Sequence, residues 1–160
     1  MALPGAPLFR RRIAAALLTA IEQRKPMAIV AVHLGDARDW QDVSGPSEVR
    51  TVLATYATRL ARSLHSRGML NRSAVYDFSA AVEHIHGEAN LAQQLQSLHR
   101  TLMEPIVIGG RHVTIRPFIG VAICPFDGLT AEALTKRSAA AAHLAQHDAH
   151  EIRFFGASDE

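Results

Sequence analysis

Residues 72–85, "RSAVYDFSAAVEHI", read as a strand, a tight corner and a second strand, and this stretch decides the fold. Strands are expected over 70–76 and 78–85, because apolar and β-branched residues in both arms suit a pleated, half-buried surface. The corner is expected near Ala74-Val75. Two-residue hairpin loops favour Gly, Asn or Asp there, yet the stretch contains no glycine. One carboxylate, Asp77, sits beside the corner.

Working outward, the stretch is flanked by alternating helical and strand patterns. Leu8, Ile13, Leu17 and Ile21 form one helical stripe, with the run Arg10-Arg11-Arg12 on the other side. "MAIVAVHL", residues 27–34, is almost wholly apolar and reads as a strand covered on both faces. A helix is expected over 47–66, burying Val49, Val52, Leu53, Tyr56, Leu60 and Leu64. Beyond the corner, "GEANLAQQLQSLHRTL" is a helix with a core edge of Leu91, Leu95, Leu98 and Leu102. "PIVIGGRHVTI" is a hairpin turning at Gly109-Gly110, and "FIGVAICP" is another buried strand. "TAEALTKRSAAAAHLAQH" is a helix with Thr130 as N-cap, and "EIRFF" closes the order as a strand. The pattern predicts an α/β fold: one mixed central β-sheet of about five strands flanked by helices.

Composition narrows the function classes. The 160 residues suffice for one domain with a real core, and 48% hydrophobic with 20% charged residues is ordinary for a globular chain. Net charge is +2, from 17 basic and 15 acidic residues, and the pI near 9.1 comes with no concentrated basic patch. Nucleic-acid binding is not indicated. The single cysteine, Cys124, excludes an internal disulfide and fits a reducing, cytoplasmic compartment; its apolar surroundings make it a buried small hydrophobe. "FRRRIAAALLTAIEQRK" mimics a signal peptide, but Glu22 and Arg24 follow the apolar run at once. No stretch is long enough for a membrane span, so direct membrane insertion is not expected.

The ordered set of local sequences resembles the GGDEF domain, the diguanylate cyclase family that condenses two GTP into cyclic di-GMP. Leu3-Pro4 and Leu8-Phe9 match the family's opening, and "PMAIVAVHL" its first strand. "EPIVIGGRHVTIRPFIGVAICPFDGLTAEALTKRSAAAA" is similar to its hairpin, following strand, Pro-x-Asp-Gly turn and helix of small residues. "IRFF" matches the last strand, so the resemblance spans nearly the whole chain. It implies a nucleotidyl cyclase-like fold, and a degenerate domain of residues 1–160 excised from a longer multidomain protein.

The resemblance also implies where chemistry would sit. The family joins a ribose hydroxyl to an α-phosphate with divalent metal holding the triphosphate, and Mg²⁺ needs hard oxygen ligands. His33 stands where the family places its first metal-binding Asp, and neutral imidazole is a poor Mg²⁺ ligand beside a carboxylate. Gly35 follows in the same loop. Gln41 stands at the guanine-contacting Asn and Arg50 at a later guanine-contacting Asp, an exchange of acceptor for donors. "AVYDF" occupies the GGDEF positions. Phe78 is the shared anchor; Ala74 and Val75 replace both glycines, Tyr76 the metal-side acid, and Asp77 the next acid, without expected partners. Glycines there accept positive φ and admit a phosphate close to the backbone, which Val does not. His65 to Gly68 align with the family's inhibitory product site, where the acid is absent, and Gln146 with a triphosphate-contacting lysine.

No catalytic residue, metal or cofactor is therefore expected. The expected role is regulatory or protein-interacting within cyclic di-GMP signalling, beside an EAL-type phosphodiesterase domain in the full-length protein. Protein partners or adjacent signalling domains, and a homodimer, are the implied associations. Two alternatives stand: a residual cyclase using Asp77, Asp36 and a second subunit, with Asp36 entering by a register slip, and a GTP-sensing domain without turnover.

Nine histidines invite a separate metal reading. His143, His147 and His150 follow an i, i+4, i+7 spacing that suits Zn²⁺, but no Glu of an HExxH pattern or cysteine completes it. The favoured reading is a solvated helix end, where histidine suits the negative end of the dipole. His84 and His86 read as edge residues sharing a strand face. Trp40 and Tyr76 are expected to fill the space a nucleotide would take, the alternative being a contact patch for a partner, and Asp127-Gly128 is a turn.

Overall fold

A computed structural model describes residues 3–64 and 69–156. Helix α1 spans Ala6–Gln23, α2 Gly45–Leu64, α3 Glu88–Leu102 and α4 Ala131–His147. Strands are β1 Met27–His33, β2 Leu70–Ala74, β3 Asp77–Val82, β4 Ile106–Ile108, β5 Arg111–Val113, β6 Phe118–Cys124 and β7 Ile152–Phe154. Five strands form one sheet in the order β2-β3-β1-β6-β7, antiparallel except for the parallel β6–β7 pair, while β4 and β5 form a separate hairpin. The expected mixed sheet is present.

β1 lies at the centre of that sheet, and all seven of its residues are buried. Alternation then divides its side chains between two layers. Ala28, Val30 and Val32 join the core under α2 and α3, with Tyr56, Leu60, Leu91 and Leu95. Met27 and Ile29 face the other way, into the smaller core beneath α1 and α4, with Phe9, Ile13, Leu17 and Leu134. By the same parity His33 belongs to the α4 side, and so does Asp77, its register partner on β3.

α4 reaches that face because its inner side is almost bare: Ser138, Ala141, Ala142 and Ala145 are buried. Opposite them is Gly120 on β6. A Cβ at Gly120 would lie 2.1 Å from the Ser138 carbonyl oxygen and 2.3 Å from the Ala142 nitrogen. The run of small residues therefore brings the helix backbone onto the sheet, and the next turn of α4 over the end of β1. Thr130 caps this helix as expected, its hydroxyl accepting from the Ala133 N–H at 3.1 Å.

Several expectations are corrected. The α1 stripe is Phe9, Ile13 and Leu17, whereas Leu8 is 37% and Ile21 42% exposed; one step of helical phase turns the buried face toward Phe9. The corner falls at Val75-Tyr76, since Ala74 pairs with Asp77, and a register shift between Arg72 and Ala74 makes a bulge in β2. Neither corner residue has positive φ, so no glycine is required, and the bulge adds the local twist a hairpin needs. β3 ends at Val82, so His84 and His86 share no strand face; His84 lies beyond it at φ 58°. By contrast Gly109 and Gly110 turn the β4–β5 hairpin at φ 55° and 78°, the conformation that favours glycine at both loop positions. Asp127 makes the expected turn, its carboxylate accepting from the Ile123 N–H at 2.8 Å. Cys124 is a buried free thiol, and burial pushes its pKa up.

Candidate functional site

At the end of the central strand three elements bring polar side chains together. His33 closes β1 and Asp77 opens β3, and their backbones are direct register partners. His33 Nδ1 donates to Asp77 Oδ1 at 2.5 Å. From α4, the Gln146 amide oxygen accepts from His33 Nε2 at 3.1 Å. One turn earlier, the His143 ring lies against His33 with centroids 4.3 Å apart, tilted by 41°. One ligand atom each from His33, Asp77 and His143 can be chosen so that all three lie within 4.8 Å of one another.

With Asp77 facing Nδ1 and the Gln146 amide oxygen facing Nε2, the surroundings of the His33 ring favour its protonated form. The Asp77 hydrogen bond raises its pKa above the ordinary 6.5 against the opposing effect of burial; the charge of Asp77 and the Gln146 bond add to the rise. The His33 side chain is only 10% exposed and that of Asp77 27%. A charge at that depth needs its partner, since an unpaired buried ion is strongly disfavoured. Asp77, expected to be without partners, thus has a strong one.

The hairpin corner is clamped beside this pair. The Leu34 N–H donates to the Tyr76 carbonyl at 2.8 Å, and Trp40 Nε1 donates to the Leu34 carbonyl at 2.8 Å. The Trp40 and Tyr76 rings stack at 4.7 Å. The loop leaving β1 is a short 3-10 turn, Ala37–Trp40, closed by a capping box in which the Asp36 carboxylate accepts from Arg38 N–H and Asp39 from Asp36 N–H. Gly35, at φ 72°, makes this possible, because a Cβ there would lie 2.2 Å from the Asp39 carboxylate. Asp36 therefore works as a helix cap. The register slip that would carry it into the site is absent, as β1 pairs without interruption from Ala28 to His33 with β3 and from Met27 to His33 with β6.

Of the other residues singled out in the sequence, Gln41 is exposed at the end of the 3-10 turn and Arg50 is exposed on α2. Ala74 ends β2, Val75 is 58% exposed at the corner, and Phe78 is buried in the main core. His65 and Gly68 lie outside the described residues. His143, grouped in the sequence with His147 and His150, instead joins His33 and Asp77, a grouping the sequence reading missed. The reading as a solvated helix end holds for His147, whose side chain is 85% exposed, whereas His143, though also exposed, packs its ring on His33. The available signal was its position three residues before Gln146, on the same helix face.

Fold and site together define an α/β domain whose polar cluster sits at the sheet rim. The chain belongs to the GGDEF family, whose model, described as "Diguanylate cyclase, GGDEF domain", matches residues 2–151. Among solved structures it is similar to the GGDEF domain of YfiN (TpbB) from Pseudomonas aeruginosa, with TM-score 0.89 and 23% identity over 98% of this chain and 99% of that one. An EAL/GGDEF domain protein from M. capsulatus matches with TM-score 0.78 and 22% identity over 96% of this chain and 100% of that one. The active GGEEF domain of a diguanylate cyclase from Vibrio cholerae matches with TM-score 0.83 and 16% identity over 98% and 100%. None of the curated proteins matches significantly in sequence. Among the described residues no helix is long and apolar enough to cross a membrane.

The cluster does not fit the magnesium ion that cyclase chemistry implies. Mg²⁺ takes oxygen ligands in near-octahedral array and relies on carboxylates. Here the one carboxylate of the cluster is engaged by the His33 ring, and the remaining donors are a second imidazole and an amide.

Proposed function

We propose that this GGDEF domain makes no cyclic di-GMP and serves instead as a regulatory or protein-interaction module in cyclic di-GMP signalling. The observation that carries the reading is the His33–Asp77 contact: the chain's own imidazole, standing where the family places a metal-binding carboxylate, is hydrogen-bonded to the only acid of the "AVYDF" stretch. Removing metal-borne charge neutralisation from a phosphoryl-type transfer costs several kcal/mol of transition-state stabilisation. The stacked Trp40 and Tyr76 rings support the same reading, since they pack apolar bulk from the "AVYDF" corner onto the main core. In the full-length protein the domain stands in the cytoplasm next to an EAL-type phosphodiesterase domain, an arrangement suggested by the EAL/GGDEF protein among its structural relatives.

Two assays test this. Incubation with GTP and Mg²⁺, followed by chromatography, is expected to yield no cyclic di-GMP above a protein-free blank, and product formation would overturn the reading. Deleting the domain from the full-length protein is expected to change the neighbouring domain's rate; an unchanged rate would remove the regulatory role.

A further inference from the structure

We infer that His33, Asp77 and His143 form a binding site for a divalent transition-metal ion such as Zn²⁺. The ligands come from three rigid elements: the last residue of β1, the first of β3, and the face of α4 that sits over them. Two imidazoles and one carboxylate are borderline donors that suit zinc and its neighbours and disfavour magnesium. Three protein ligands with a fourth, open position is a common zinc arrangement, and the Gln146 oxygen, 3.1 Å from His33 Nε2, would accept from that nitrogen and hold the ring with Nδ1 toward the ion.

The rearrangement required is small. Ligand atoms on a tetrahedral zinc with bonds of about 2.0 Å lie about 3.3 Å apart. The three donors are already within 4.8 Å of one another, and the His33–Asp77 contact at 2.5 Å needs only to open slightly as the metal replaces the ring proton. Binding releases that proton, as metal binding to imidazole generally does. The bound ion would tie α4 to the β1–β3 edge more firmly than one hydrogen bond to Gln146 does. This inference goes beyond the loss of cyclase activity and does not depend on it, because the test reads metal directly and uses no nucleotide.

The test is titration of the untagged, chelator-stripped protein with Zn²⁺ by calorimetry, and with Co²⁺ by visible absorption. The expected result is one equivalent bound at micromolar affinity or tighter, a visible Co²⁺ ligand-field band, and no displacement by millimolar Mg²⁺. His143→Ala and Asp77→Asn should each weaken binding by at least about tenfold, while His147→Ala, outside the cluster, binds as the parent does. His143 is exposed, so its variant should melt with the parent when metal is absent. Absence of Zn²⁺ binding by the parent, or parental affinity in either the His143 or the Asp77 variant, would overturn the assignment.

Discussion

His33 and Asp77 lie 44 residues apart in the chain, face each other across the β1–β3 ladder, and share a 2.5 Å hydrogen bond that is largely shielded from water. Removing either partner alone leaves the other polar group part-buried without its hydrogen bond, which destabilises the fold. In a double-mutant cycle with His33→Ala and Asp77→Ala, under metal-free conditions, the coupling energy should be about 1–2 kcal/mol. Chemical denaturation of the four proteins measures it, and strictly additive losses would show that the contact carries no net stability.

Gly120 sets how closely α4 approaches β6. Gly120→Ala forces a methyl into backbone atoms that no side-chain rotation can move aside. The expected loss is at least about 2 kcal/mol, a fall in melting temperature of about 5 °C or more. The displaced helix should also draw Gln146 and His143 from His33, visible as a shifted His33 imidazole resonance by NMR. An unchanged melting curve would contradict the packing described.

Glu48 on α2 accepts from Arg111 on β5 at 2.6 Å and from the Ser44 N–H at 2.8 Å. The Ser44 bond, then the Arg111 bond, hold its pKa below the ordinary 4.5. A depressed carboxylate contributes stability that is present above its unfolded pKa and lost as pH falls through the folded value. The side-chain carboxyl resonance of Glu48 should therefore titrate below 4.5, and Arg111→Ala should move the midpoint back up. A midpoint unaffected by that substitution would rule out the tie between the hairpin and α2.

Rebuilding the signature alone should not revive catalysis. The combination Ala74→Gly, Val75→Gly, Tyr76→Asp and Asp77→Glu leaves His33, Arg50 and Gln146 in place, so the residues on β1, α2 and α4 stay wrong. Incubation of that variant with GTP and Mg²⁺ is expected to give no cyclic di-GMP. Detectable product would show that the hairpin alone limits the reaction.

Much of the fold was legible because local chemistry and tertiary demand agree. The nearly unbroken, β-branched apolar run at 27–34 pointed to a doubly covered strand, and Gly109-Gly110 to a tight turn. The corner at Val75-Tyr76 was misplaced by one residue because a bulge, invisible in sequence, supplies the twist a glycine would otherwise give. The α1 stripe shifted from Leu8 to Phe9 because two nearly equivalent apolar phases compete there and only packing chooses. The site was half legible. The odd residues His33, Asp77 and Gln146 stood out against the family pattern, but their mutual contacts needed the β1–β3 register and the approach of α4. The contact of His143 was hidden because its partner, His33, lies 110 positions earlier in the chain.

The measurement that bears most directly on the proposed loss of cyclase function is calorimetric titration of the purified domain with GTP in the presence of Mg²⁺. The account predicts no binding heat above dilution, because no triphosphate-bound magnesium can be seated beside the His33–Asp77 pair. Micromolar binding of GTP that depends on Mg²⁺ would contradict it.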